Sequence, residues 1–220
     1  MRSGRVAGPG IDKRMTNENR IGIMGGTFDP LHMAHLVAAE EARAAFGLDR
    51  VIFMPAGEPP HKADHPTSEA EHRYAMALLG TAENPYFEVS RLEIERPGPS
   101  YSVDTIRALR GAMGSEVEIY FIAGSDEILD IESWYEAESL PRLARFVAVP
   151  RPGFDLSELE RLLPAQFMSS IEVLSMREIN VSATEIRRRV ATGKSIRYLV
   201  PGSVEAYIRK HGLYTLENGT

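Results

Sequence analysis

Cysteine is absent from the 220 residues, which excludes disulfides and thiolate metal sites and suits a reducing cytoplasm. Long apolar runs are missing as well. None approaches the ~20 residues needed to span a bilayer, and the N-terminal segment lacks the apolar core of a secretory leader. The expectation is a cytoplasmic protein with no membrane partner. Basic charge is scarce: 25 Lys and Arg stand against 31 Asp and Glu, for a net charge of −6. Affinity for nucleic acid rests largely on cations set against phosphates. Nucleic acid is therefore not an expected partner, although a local basic pocket for a small phosphorylated ligand fits. There is no repeat, no low-complexity tract and no linker, and tryptophan occurs once, at Trp134.

What is present has ordinary globular proportions, 43% hydrophobic and 25% charged. The length suits one α/β domain with a small appendage. Residues 1–19 are rich in Gly, Arg and polar residues without periodicity, and read as a disordered arm with Met15 a candidate start. Residues 20–214 form the domain, its last part (about 182–214) a helical subdomain, and 215–220 a tail. Strands are expected at Ile21–Met24, Arg50–Pro55, Tyr86–Ile94, Val117–Ala123, Phe146–Val149 and Ile171–Leu174. Helices are expected after Thr27, Asp29 and Pro30, after a capping box at Ser68-x-x-Glu71, and at Ser102–Met113. Others follow around Trp134, and at Asp155–Leu163, Ser182–Thr192 and Ser203–His211. The alternation predicts a Rossmann-like, doubly wound parallel sheet with helices on both faces. Ligands of such sheets bind beyond the carboxyl ends of the strands. Gly25-Gly26, the loop after Pro55 and Gly124-Ser125-Asp126 should gather there.

The stretch Arg20 to Ala45 organises the chain. A short apolar strand runs into Gly25 and Gly26, and then into an Ala-rich amphipathic helix. That arrangement presents backbone N–H groups to an anion. His32 and His35 are three apart and share a face near the positive end of the helix dipole. Imidazoles at this spacing are compatible with zinc. With no acidic residue at helical spacing beyond them, phosphate is the better partner, and a protonated histidine beside phosphate would be favoured by charge. The glycines lack the G-x-G-x-x-G spacing of a dinucleotide fold. Gly193-Lys194-Ser195 follows a helix instead of a strand, and Arg188 stands where a P-loop needs glycine, so Gly193 reads as a helix stop.

Gly25-Gly26-Thr27-Phe28-Asp29-Pro30-Leu31-His32-Met33-Ala34-His35 resembles the H-x-G-H signature of the nucleotidyltransferase superfamily, with Ala34 where the motif usually has glycine. Val181-Ser182-Ala183-Thr184-Glu185-Ile186-Arg187 resembles its I-S-S-T-x-I-R motif. Supporting segments are Pro55-x-x-x-Pro59-Pro60-His61-Lys62, Ser100-Tyr101-Ser102-Val103-Asp104-Thr105, Gly124-Ser125-Asp126 and Trp134-Tyr135. Their order and spacing, from Arg20 to Tyr214, resemble the nicotinate-nucleotide adenylyltransferase family.

The resemblance implies adenylyl transfer from ATP to nicotinate mononucleotide, with magnesium held mainly by ATP phosphates and no protein metal site. It implies that His32, His35 and Arg187 are catalytic. Gly25, Gly26, Thr27, Phe28, Asp126, Ser182 and Thr184 join those three around ATP. Lys62, Thr105, Trp134 and Tyr135 would hold nicotinate mononucleotide, the ring stacked on Trp134 and its carboxylate on amides near Thr105 and Tyr135. The attacking phosphate is already ionised, so no protein nucleophile is needed, and positioning and charge supply the catalysis. A related enzyme such as pantetheine-phosphate adenylyltransferase, a non-catalytic nucleotide sensor and a metal-dependent hydrolase are the competing readings. A homo-oligomer is compatible with all of them.

Overall fold

A computed structural model describes residues 19–59, 67–151, 153 and 157–215. Six parallel strands form one sheet in the order β3-β2-β1-β4-β5-β6. They are β1 (Arg20–Gly26), β2 (Arg50–Pro55), β3 (Phe87–Val89), β4 (Glu118–Gly124), β5 (Arg145–Val149) and β6 (Ile171–Val173). The order reverses between β1 and β4, which places the switch point at the ends of those two strands. The long helices are α1 (Met33–Phe46), α2 (Ala70–Thr81), α4 (Ser102–Met113), α9 (Ala183–Ala191) and α10 (Gly202–His211). Shorter ones are α3 (Leu92–Glu95), α5 (Ser125–Leu129), α6 (Leu140–Leu143), α7 (Ser157–Leu162) and α8 (Ala165–Met168). Among the described residues no helix is long and apolar enough to cross a membrane.

Burial on both faces explains the nearly continuous apolar strands. Ile21, Ile23, Ile52, Met54, Ile119 and Phe121 enter one cluster, with Val103, Ile106 and Leu109 of α4. Met24, Val51, Phe53, Tyr120 and Ile122 enter the other, with Ala38, Ala39 and Ala42 of α1. The period of two is that of a pleated strand. The small alanine face lets α1 lie close to the sheet. A third cluster joins Ile186, Ile196, Val200, Val204 and Ile208 to Met76 of α2, so the two C-terminal helices are anchored through α2.

Four local expectations are corrected. The first helix starts at Met33, with His32 as its cap. Phe28 is in the left-handed region (φ 52°), and the Asp29 carboxylate is taken up by tertiary bonds. The second helix starts at Ala70 after Glu69 and makes no capping box. The N–H of Ser68 goes to Asp29, and Glu71 pairs with Arg91. The third strand is only Phe87–Val89 and gives way to the helical turn α3. That turn buries Glu93 against Thr105, a tertiary contact that alternation cannot signal. Trp134 and Tyr135 stand in a turn between two 3-10 segments, Ile131–Ser133 and Ala137–Ser139, not in a helix. Of the N-terminal arm only Asn19 is described, bonded through its N–H to Asp49. His61 and Lys62 lie outside the described residues.

Candidate active site

The glycine turn lies at the end of β1, beside the end of β4. A side chain at Gly25 would come within 2.9 Å of the Phe121 ring, and one at Gly26 within 3.0 Å of the Phe28 ring. Both glycines are therefore fixed by packing. Phe28, held left-handed, puts its ring against His35 edge-on, with centroids 5.1 Å apart. The two histidine rings stack on each other at 3.6 Å and 19°. The N–H of His32 donates to Nδ1 of His35 (3.2 Å), satisfying one free helix-start group and putting the proton of a neutral His35 ring on Nε2.

His32 is 2% exposed, and its Nδ1 is buried without a hydrogen-bond partner. Burial, helped by the positive charge of Arg151, pushes its pKa from 6.5 down to about 4. Near neutral pH it is uncharged, because the ring is buried and a cation stands nearby.

The second motif reaches the same turn. Arg187 on α9 donates through Nη1 to the backbone oxygen of Asp29 (2.8 Å) and through Nη2 to Oγ1 of Thr184 (3.4 Å). Asp29 is nearly buried, and its carboxylate accepts from the N–H of Ser68 (3.1 Å) and the hydroxyl of Tyr214 (2.6 Å). The hydroxyl oxygen of Ser182 caps α9 by accepting from the N–H of Glu185 (3.2 Å). Across from it, Arg151 lies 3.3 Å from Asp126 at the start of α5. Asp126, Arg151, Ile179, Asn180, Val181 and Ser182 line an open cleft of about 360 Å³. A Cβ at Gly124 would displace the ends of the Asp126 and Arg151 side chains from their present pairing.

The aromatic side of the edge is joined to this one through Phe121. Its ring covers Gly25 on one side and meets the half-buried Trp134 edge-on at 5.7 Å. Trp134 also leans on Phe146. Tyr135 is half exposed and stacks on Tyr101, with centroids 4.4 Å apart. Thr105 is not presented with them. It is 0% exposed, its hydroxyl donates to Glu93 (2.6 Å), and its N–H is bonded to the carbonyl of Tyr101 within the start of α4. Burial raises the Glu93 carboxyl above its usual range, although Thr105 and the nearby Arg96 oppose this.

Reading the residues alone missed Arg151, Asp29 and Tyr214. Only Arg151 carried a signal, standing two residues beyond a strand end at the ligand edge. Ala34 is the second residue of α1 and is half-buried.

A doubly wound sheet with paired imidazoles and an arginine converging beyond its first strand defines a nucleotide-handling α/β protein. The cytidylyltransferase-like family model matches residues 23–189. A protein of Moorella thermoacetica, named a probable nicotinate-nucleotide adenylyltransferase, is 51% identical across 91% of this chain and 94% of its own length. One of the same name from Thermus thermophilus is 50% identical across 89% and 99%. A structure of nicotinic acid mononucleotide adenylyltransferase of Plasmodium falciparum, complexed with NaAD, superposes with a TM-score of 0.74. It covers 89% of this chain and 97% of that one at 22% identity, a likeness of fold. The chain belongs to the cytidylyltransferase-like family and, within it, to the nicotinate-nucleotide adenylyltransferases.

Proposed function

We propose that the chain transfers the adenylyl group of ATP to the phosphate of nicotinate mononucleotide, forming nicotinate adenine dinucleotide in the cytoplasm. An oxygen of the acceptor phosphate bonds to the α-phosphorus. The bond from that phosphorus to the β-phosphate oxygen breaks, and pyrophosphate leaves with the electron pair. The observation that carries this reading is the bond from Arg187 to the Asp29 carbonyl, which brings a cation and a helix start onto the turn that holds both histidines. The names of the relatives supply the acceptor.

His35 and Arg187 are the donors to the phosphates, and neutral His32 orients His35 through its backbone N–H and the stacked rings. Asp126 accepts from the ribose hydroxyls, at the mouth of the cleft it shares with Ser182. Trp134 carries the pyridine ring, with Tyr135 and its N–H alongside. Magnesium would enter with ATP, as the Mg–ATP substrate. When bound it offsets charge on the leaving phosphates.

Pyrophosphate release from Mg–ATP by the purified chain tests the assignment, with nicotinate mononucleotide, nicotinamide mononucleotide, pantetheine phosphate or no acceptor. Turnover is expected with the first and far less with the others. Turnover with nicotinamide mononucleotide alone overturns the substrate, and none with any acceptor overturns the enzyme.

A further inference from the structure

Arg73 lies on α2, outside both motifs, and is 1% exposed. An arginine so buried is normally matched by a carboxylate, because a bare charge in the interior is costly. Here Asp29 and Glu93 lie near enough to offset the charge, but the hydrogen-bond acceptors are four backbone carbonyls. Nε donates to Ser68 (2.9 Å), Nη1 to Thr27 (3.0 Å) and Ala56 (2.5 Å), and Nη2 to Gly57 (3.0 Å). These carbonyls belong to three separate segments: the turn after β1, the loop after β2 and the approach to α2. An apolar side chain would fill the space at less cost but could not fix carbonyl directions.

We propose that Arg73 is a positioning residue that aims the backbone of the anion-binding turn, and so sets affinity for the triphosphate. The peptide plane makes the argument. The carbonyl of Thr27 points into the guanidinium, so the N–H of Phe28 in the same plane points away from it. Phe28 is in the left-handed region at φ 52°, a conformation that costs about 1–2 kcal/mol in a residue with a side chain and needs its neighbours to enforce it. The peptide that leads into this strained residue is held by Arg73 through the Thr27 oxygen, and the Asp29–Pro30 peptide one residue further on by Arg187 through the Asp29 oxygen. Successive amides around a left-handed residue form a concave anion site, and Arg73 anchors the peptide that carries the first of them, the N–H of Phe28. Arg187 is at the site and meets the ligand. Arg73 lies beneath it and acts only through the backbone.

The inference rests on the ATP half of the proposed function and not on the acceptor. The test is therefore equilibrium binding of Mg–ATP and of pyrophosphate to the full chain, without acceptor. Wild type is compared with Arg73→Lys, whose ammonium cannot span three segments, and with Arg73→Met, which keeps packing without donors. Both affinities should fall by ~10-fold or more in each variant, the scale of one neutral hydrogen bond. Binding of nicotinate mononucleotide alone should change less than twofold. Unchanged ATP and pyrophosphate affinity in either folded variant overturns the proposal, and so does an equal loss for all three ligands, which marks a general structural role. Should both variants fail to fold, the role is structural and the proposal falls. A wild-type chain that binds ATP but does not adenylylate nicotinate mononucleotide sinks the acceptor assignment and leaves this test standing. One that binds no ATP sinks both.

Discussion

The two ends of the proposed site, one for phosphates and one for the pyridine ring, are built on different physics. The phosphate end is made of backbone groups and polar side chains from distant segments, tied by directed hydrogen bonds. Arg187 reaches Asp29, Tyr214 reaches Asp29, and Arg73 reaches Thr27. The ring end is made of aromatic faces resting on the core, with Trp134 against Phe121 and Phe146, and Tyr135 against Tyr101. A directed network fails when one atom is removed, since a buried polar partner is left unsatisfied. An aromatic platform fails in proportion to the area removed. Phe121 is the shared wall, touching Trp134 on one side and covering Gly25 on the other.

This contrast makes graded predictions. The largest effect belongs to the phosphate end. His35→Ala should lower kcat by ~10²–10³, the scale for losing one transition-state donor. A turnover rate within twofold of wild type would remove His35 from the chemistry.

Next in size is acid sensitivity, which also belongs to the phosphate end. The pKa of His32 in the folded chain, about 4, lies below its ordinary value of 6.5. Between those values the unfolded chain binds the proton and the folded chain does not. Stability from this group is intact above pH 6.5 and is lost as pH falls toward 4, by about 3 kcal/mol in all. Urea unfolding of wild type and His32→Asn from pH 7.5 to 4.5 checks it. The gap between the two proteins should shrink on acidification, and parallel curves would contradict a buried neutral imidazole.

The smallest effect is at the ring end. Trp134→Ala should raise KM for nicotinate mononucleotide ~10-fold while KM for ATP changes less than twofold, with Trp134→Phe intermediate. Equal changes in both KM values would mean that Phe121 transmits the loss to Gly25, and the two ends would then be one unit.

The helix Ser102–Met113 is legible at both ends. The strands are also legible, because apolar runs bounded by Gly and Pro follow from burial on both faces. Boundaries fail where a tertiary bond outbids a local signal. Asp29 looks like a helix cap but serves Ser68 and Tyr214, and Ser68 looks like a cap but serves Asp29. The histidine and Arg187 segments stand out because their chemistry is concentrated at helix starts. Arg73 and Tyr214 do not, because most of their partners lie 16 to 185 residues away and a lone Arg on a helix reads as surface charge. Thr105 shows the converse: a polar residue in a telling motif lies in the core, bonded to a carboxyl whose pKa burial raises.

The central claim is that the phosphate end positions and stabilises, and that no side chain attacks phosphorus. ATP made chiral at the α-phosphorus with sulfur and an oxygen isotope tests this directly. A single in-line displacement predicts inversion at that phosphorus in the dinucleotide product. Retention would mean two displacements through a covalent adenylyl-enzyme, most simply on His35, and would contradict the account.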